Sequence, residues 1–172
     1  MLKKTKNKLQ EYIDAGKIHA VQGDCEHIPL RSDFVAGLVC TLTFDHFEDC
    51  ELGASEFSRV LKQGGLCIFS TFNSRTLSEV QRRLHLPADK ISFETEDMLP
   101  TLVHEVGHSA EEAEAIFSKN HIRLVAVKGC CYWHLLPLSP IGRCTIGFDV
   151  LFSRFKSLLK YAEIHVTRMV RD

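Results

Sequence analysis

Apolar residues recur along the chain at two different spacings, which predicts a mixture of helices and strands. Apolar positions three or four residues apart predict amphipathic helices at 2–15, 49–62, 75–86, 109–119 and 145–161. Short apolar or alternating runs predict strands at 18–22, 34–41, 66–71, 102–106, 121–134 and 163–170. Because strands and helices alternate along the chain, the pattern indicates an α/β domain with a mostly parallel sheet.

Two strand features refine this prediction. The run 34–41 is almost continuously apolar, which is typical of a parallel strand buried on both faces. The last two strands lack a clear crossover between them, so we expect them to be antiparallel. Residues 1–172 are expected to form a single domain, with an irregular insertion at 86–108. A loop plus an amphipathic helix is expected at 135–161, before the last strand.

Composition and charge narrow the classes of function. The 172 residues include 21 Lys and Arg against 22 Asp and Glu, which gives a formal net charge of −1. A nearly neutral chain has no overall field to hold a polyanion, which argues against a dedicated nucleic-acid binder. The longest apolar stretches are far shorter than the roughly 20 residues that span a bilayer, so we expect no membrane span.

Cysteine usage indicates a reducing compartment. The chain has seven cysteines, an odd number, and no Cys-x-x-Cys pair. Several of them lie inside apolar runs, where cysteine acts as a small core side chain. No apolar segment of the signal-peptide type follows the first lysines. We therefore expect a cytoplasmic protein.

The block 21–30, VQGDCEHIPL, carries the most informative chemistry. Ligands of open parallel sheets bind beyond the carboxyl ends of the strands, and Asp24 follows the predicted strand 18–22. The Asp24 carboxylate can accept a hydrogen bond from an exocyclic amine, and the Cys25 amide can donate to a ring nitrogen. Together these groups match the edge of an adenine. The alternative role for Asp24 is that of a simple turn former.

Three motifs in the right order resemble the small-molecule branch of the class I S-adenosylmethionine-dependent methyltransferases. They are GDCEHIPL, the apolar strand FVAGLVCTLTF and the turn LKQGG. The resemblance implies a Rossmann-like, three-layer αβα domain with strand order 3-2-1-4-5-7-6. It also implies methyl transfer from S-adenosylmethionine to a small-molecule acceptor.

The resemblance also implies roles for individual residues. Asp24 would contact the adenine amino group, and Cys25 would offer its backbone amide to the adenine ring. Thr41 and Leu42 would approach the methionine part of S-adenosylmethionine, and Met1 would pack near the adenine.

The residues implied for the acceptor side follow the central strand. Phe44, Asp45 and His46 would lie near the transferable methyl group. A general base is needed only if the acceptor must lose a proton, and His46 or Asp45 would be the candidate catalytic residues. The alternative for His46 is a structural place beside the start of a helix.

The sequence departs from the family at the start of the domain. Its ten glycines contain no Gly-x-Gly, whereas the family holds its cofactor with a Gly-rich turn, and the first two strands of the family are missing. We expect the chain to be the C-terminal part of such an enzyme. Two alternatives are that a partner chain or a second copy supplies the strands, or that 18–22 pairs directly with 34–41 in a smaller sheet.

Two other functions stay open at this point. One is a non-catalytic, methyltransferase-like subunit that binds a complete homologue. The other is a zinc hydrolase, because His104-Glu105-Val106-Gly107-His108 fits H-E-x-x-H. That chemistry needs both histidines on one helical turn, whereas a Ser-x-x-Glu capping box predicts a helix that begins only at Ser109. We therefore expect no metal site.

Overall fold

The computed structural model describes residues 2–83, 85–94, 100–130, 162 and 164–172. The helices are α1 (Leu2–Asp14), α2 (Cys50–Val60), α3 (Ser74–Arg83) and α4 (Ala110–Ser118). The strands are β1 (Val35–Thr41), β2 (Leu61–Phe72), β3 (Lys90–Glu94), β4 (Pro100–His104), β5 (Ile122–Cys130) and β6 (Ile164–Arg171). A 3₁₀ turn covers Phe44–His46.

The main sheet of the described residues has four strands in the order β1-β2-β6-β5. Strands β1 and β2 are parallel, whereas β6 is antiparallel to both β2 and β5. The prediction that the last two strands are antiparallel is therefore confirmed. The observed order is that of the 4-5-7-6 half of the expected sheet.

Helices α2 and α4 cover one face of this sheet, because both present apolar residues at helical spacing toward it. The aromatic core between them is built on Phe44, Phe57, Phe69 and Phe117, each at most 2% exposed. The predicted capping box is confirmed: the Ser109 side chain accepts from the backbone of Glu112, and the Glu112 carboxylate accepts from the backbone of Ser109.

The predicted strand at 18–22 is wrong. These residues are irregular, and the nearest β feature is an isolated bridge between Asp24 and His27. A short apolar run becomes a strand only when a neighbouring strand satisfies its backbone groups, and no strand pairs with 18–22 in the described residues. Direct pairing of 18–22 with 34–41 is accordingly not observed; β1 pairs with β2.

The prediction that 34–41 is buried on both faces is also wrong. Strand β1 lies at the edge of the four-stranded sheet. Of its seven residues only Cys40 is buried, and Val39 is 70% exposed. The apolar run identified a strand correctly, but burial depends on neighbours that a single segment does not reveal.

The predicted irregular insertion at 86–108 contains regular structure. Strands β3 and β4 form a two-stranded antiparallel sheet, in which Lys90 pairs with His104 and Glu94 pairs with Pro100. Strand β4 (Pro100–His104) begins and ends two residues earlier than the predicted strand 102–106. The predicted loop and helix at 135–161 lie outside the described residues.

Candidate functional site

The chain turns sharply where β1 ends. Leu42 has a φ of +46°, a left-handed conformation that is costly for a leucine. Its amide donates to the carbonyl and the hydroxyl oxygen of Ser70, at 3.3 and 3.1 Å. These bonds tie the end of β1 to β2, and the 3₁₀ turn that carries Asp45 and His46 follows directly.

Asp45, in the turn after β1, is buried against the end of β2, with 1% of its surface exposed. One carboxylate oxygen accepts from the Phe72 amide at 3.0 Å, and the other accepts a short bond from the Thr71 hydroxyl. Its backbone carbonyl accepts from the Val106 amide at 2.8 Å. Asp45 thus joins β1, β2 and the segment that follows β4.

His108 completes this buried group. Its Nδ1 lies 3.6 Å from an Asp45 oxygen and 3.4 Å from the Thr71 hydroxyl. Burial lowers the pKa of His108, but the interactions with Asp45 and Cys50 outweigh it and raise the pKa to about 9. His108 is therefore an imidazolium paired with the Asp45 carboxylate at neutral pH.

His46 lies beside the buried group but reaches the surface. Its Nδ1 is 2.7 Å from the carbonyl oxygen of His104 and 3.5 Å from an oxygen of Glu105. The His46 side chain is 36% exposed, whereas that of Glu105 is 1% exposed. Among the titratable groups of this cluster, His46 is thus available to a ligand.

Glu105 is the site residue that sequence reasoning missed. Burial raises the pKa of Glu105 and Asp45 raises it further, while His46 and His104 lower it. Within the described part of the chain, its Oε2 has no hydrogen-bond partner. In the sequence this residue stands out only as the acid of the H-E-x-x-H pattern, which pointed to different chemistry.

The H-E-x-x-H segment does not form the helix that a zincin needs. Strand β4 ends at His104, and residues 105–109 are irregular. His104 directs Nε2 to the carbonyl of Phe47 at 3.2 Å, while His108 faces Asp45. In the described ranges, no three His, Cys, Asp or Glu side chains come together as a metal site.

Asp24 lies in an exposed loop. One of its carboxylate oxygens accepts from the Glu26 amide at 2.9 Å, and the other lies 3.3 Å from Nδ1 of His27. The bond from the Glu26 backbone, followed by that from His27, lowers the pKa of Asp24. The carboxylate is therefore ionised at neutral pH and 63% exposed to solvent.

Glu26 anchors this loop to the beginning of α2. Its Oε1 accepts from the amides of Glu48 and Asp49, at 2.6 and 3.2 Å. Farther along, the Ile28 amide donates to Glu56 at 2.7 Å. These contacts bring the loop that carries Asp24 and Cys25 beside the segment that carries His46.

The structure thus gathers most of the sequence-predicted site at one end of the sheet. Thr41 ends β1 and Leu42 follows it, Asp45 and His46 lie in the 3₁₀ turn just beyond, and the Asp24 loop lies alongside. Met1 lies outside the described residues.

One part of S-adenosylmethionine fits the residues present. The ionised Asp24 is an acceptor for an adenine amine, and the exposed Cys25 follows it with a backbone N–H that has no acceptor among the described residues. The remainder fits less well, because the sequence contains no Gly-x-Gly turn that would let backbone approach the ligand. The chain's own residues therefore match the adenine edge.

Sequence comparison places the chain near known methyltransferases. Residues 1–69 match the family described as Methyltransferase domain. Malonyl-[acyl-carrier protein] O-methyltransferase of Nitrosospira multiformis is 40% identical over 67 residues, and that of Methylococcus capsulatus is 38% identical over 61 residues. These alignments cover 38% and 36% of this chain and 22% of each relative. The chain therefore aligns with about a fifth of the length of these relatives.

Solved structures show the same fold. An S-adenosylmethionine-dependent methyltransferase from Mesorhizobium loti is 13% identical with a TM-score of 0.59, and the match covers 96% of this chain and 77% of that chain. A second, from Thermotoga maritima, is 16% identical with a TM-score of 0.59, covering 96% and 70%.

The sheet order, the helices on its face and these neighbours define a Rossmann-like methyltransferase fold. With the match over residues 1–69, they confirm the resemblance to the class I S-adenosylmethionine-dependent methyltransferases.

Proposed function

We propose that this chain serves S-adenosylmethionine-dependent methyl transfer to a small-molecule acceptor. The observation that carries the proposal is the junction made by Glu26, which holds the Asp24 loop beside the His46 turn. A group that can bind adenine and a group that can serve an acceptor thereby share one end of the sheet, where such folds bind ligands.

Asp24 and Cys25 form the cofactor side in this proposal. Asp24 accepts from the adenine amine, and the Cys25 amide donates to the ring. Thr41, the last residue of β1, and Leu42, which follows it, would lie along the methionine part. Bound S-adenosylmethionine supplies an electrophilic methyl group on a sulfonium.

His46 and Asp45 form the acceptor side. His46 is half exposed and can take a proton from an acceptor. Asp45 is enclosed by the Phe72 amide, the Thr71 hydroxyl and His108, so its contacts favour the role of holding the turn in place. Positioning in a site that excludes water supplies most of the rate in such a transfer.

Binding of S-adenosylhomocysteine, the unreactive product, tests the cofactor side. In a titration followed by amide NMR, we expect weak binding with the largest shifts in the Asp24 loop and at Leu42. Asp24→Ala should abolish these shifts. Asp172→Asn is the matched control, because Asp172 is an exposed aspartate paired with Arg123 at the opposite end of the sheet. The proposed site would be refuted if Asp24→Ala left the chemical-shift changes as they are in the wild-type protein. It would also be refuted if millimolar ligand caused no chemical-shift changes.

A non-catalytic, methyltransferase-like subunit is the second candidate function. It is favoured by the edge position and exposure of β1, which would suit pairing with a complete homologue or a second copy. Methyl transfer by the purified chain alone would exclude this candidate. A co-purifying homologue, together with an inactive lone chain, would favour it over catalysis.

We place the protein in the cytoplasm. The described cysteines at 25, 40, 50 and 67 are free thiols, as expected in a reducing compartment. No helix of the described ranges is long and apolar enough to cross a membrane. Fluorescence microscopy of a tagged chain tests this placement.

A further inference from the structure

The contacts of His46 fix which of its ring nitrogens carries a proton. A carbonyl oxygen can only accept a hydrogen bond, and the His104 carbonyl lies 2.7 Å from Nδ1. Nδ1 must therefore carry the proton when the ring is neutral. The lone pair is then on Nε2, while both polar contacts of the ring run through Nδ1.

Glu105 lies behind the same nitrogen. Its Oε2 is 3.5 Å from Nδ1 of His46, and its side chain is 1% exposed. No hydrogen-bond donor meets Oε2 in the residues that the structure describes. A buried carboxylate oxygen without a partner is costly, so its position beside a half-exposed imidazole calls for a functional explanation.

The ionisable groups around Glu105 come from two segments. His46 and Asp45 face it from the turn after β1, and His104 faces it from the end of β4. Asp45 is itself paired with His108, so its negative charge is already compensated. Among these neighbours, His46 is thus the one whose protonated ring a negative charge on Glu105 would stabilise most.

We propose that Glu105 and His46 act as a pair in methyl transfer, with His46 as the general base and Glu105 as its positioning residue. Glu105 and the His104 carbonyl hold Nδ1, so that Nε2 faces the acceptor. The carboxylate then stabilises the imidazolium that forms when Nε2 takes a proton. This inference rests on the proposed methyl transfer and adds the chemical class of the acceptor.

The step balances as follows at the atoms involved. The proton of the acceptor's O–H or N–H passes to Nε2 of His46. The electron pair left on the acceptor atom forms the bond to the methyl carbon. The carbon–sulfur bond of the donor breaks, and its electron pair stays on sulfur as the neutral thioether.

A base is useful only for an acceptor that carries a proton on its nucleophilic atom. A carboxylate acceptor is already ionised at neutral pH and needs no base. The pair therefore assigns to this site a hydroxyl or amine acceptor, in contrast to the carboxyl group that a malonyl acceptor would present.

The first test needs no activity, because it follows the Glu105 carboxyl itself by carbon-13 NMR across a pH titration. His46→Gln should raise the pKa of Glu105 beyond its already raised value, since the His46 charge lowers it. His19→Gln is the matched control, because His19 is an exposed histidine in the irregular segment after α1. A Glu105 titration that is identical in all three proteins would overturn the pair.

Stability supplies a second readout. A purely structural Glu105 would make Glu105→Gln destabilising. If the pair is functional, Glu105→Gln leaves the melting temperature at neutral pH unchanged or raises it, because a buried carboxylate without a full set of partners is removed. A clear fall in melting temperature, with no change of His46 resonances, would overturn the inference.

Activity separates the inference from the proposed function. With a hydroxyl acceptor, His46→Gln should lower kcat roughly 100-fold, and Glu105→Gln should lower it about tenfold on the alkaline plateau of the pH profile, where Nε2 of His46 carries no proton. KM for the methyl donor should not change. If the wild-type protein is active and Glu105→Gln has the same kcat, the proposed pair is refuted. The proposed methyl transfer is not affected by that result. A wild-type protein inactive with every acceptor refutes the proposed function, and the NMR titration still decides the pair.

Discussion

Asp24 and Asp45 are the same residue type in opposite surroundings at one end of the sheet. Asp24 is exposed and ionised, with its carboxylate held by a single backbone amide and a nearby histidine. Asp45 is buried, and its two oxygens meet a hydroxyl, a backbone amide and an imidazolium. The charge of Asp24 is available to a ligand, whereas the charge of Asp45 holds three segments together.

This difference shows how one end of a sheet separates binding from support. The loop at 24–27 can meet a ligand because few of its polar atoms are committed to the fold. The turn at 44–46 can present His46 at a fixed place because its neighbour Asp45 is fully committed. Substitutions at the two aspartates should therefore affect different measurements.

The largest expected effect is that of Asp45→Ala. It leaves the Phe72 amide and the Thr71 hydroxyl without their acceptor and leaves the His108 charge unpaired in the interior. We expect the free energy of unfolding to fall by about 3 kcal/mol, as when a buried pair loses one partner. Urea denaturation measures this, with Asp24→Ala as the exposed control. A loss no larger than that of the control would contradict the supporting role.

Raising the pH should weaken the same buried pair. The pKa of His108 is raised from 6.5 to about 9, so folding favours the charged ring. This stabilisation is complete below pH 6.5 and is lost as the pH rises to about 9. Thermal melts across this range should show decreasing stability in the wild-type protein and a flatter profile in His108→Gln. Equal slopes in both would show that another group causes the change.

Glu26→Ala tests the junction between the two regions. It removes the acceptor for the Glu48 and Asp49 amides, which are exposed enough to bind water instead. We expect a loss of about 1 kcal/mol in the free energy of unfolding and faster amide exchange in the Asp24 loop. Unchanged exchange there, measured by hydrogen–deuterium exchange, would mean that the loop is held by other contacts.

The smallest effect on stability should come from Asp24→Asn. The side chain is exposed, and the new amide oxygen can still accept from the Glu26 backbone, so we expect no measurable change in melting temperature. The same substitution should weaken the NMR response to S-adenosylhomocysteine, because the acceptor for the adenine amine loses its charge. A stability loss comparable to that of Asp45→Ala would remove the contrast between the two aspartates.

Local patterns predicted most of the elements but not their surroundings. The capping box at Ser109 and the apolar run at 34–41 each identified an element, since both signals lie within a few neighbouring residues. The prediction of a strand at 18–22 was wrong because a strand needs a pairing partner elsewhere in the chain. The prediction that 34–41 is buried on both faces was wrong for the same reason, since the sequence of a strand does not show which elements pack against it.

The candidate site was predictable only in part. Asp24 and His46 stand out because they follow apolar runs in a recognisable order. Glu105 does not, because its importance comes from burial and from a neighbour 59 positions earlier in the chain. The H-E-x-x-H pattern drew attention to it, but an irregular backbone at 105–109 gives these residues a different geometry.

The outer edge of β1 pairs with no strand in the described part of the chain, which has a consequence for the protein in concentrated solution. Edge strands of natural sheets usually carry charges or prolines that discourage pairing, yet residues 34–44 include neither. Val39, 70% exposed at this edge, adds exposed apolar surface beside the row of backbone donors and acceptors. We therefore expect concentrated solutions of the isolated chain to aggregate with time. Val39→Lys should delay the increase in light scattering that reports this aggregation.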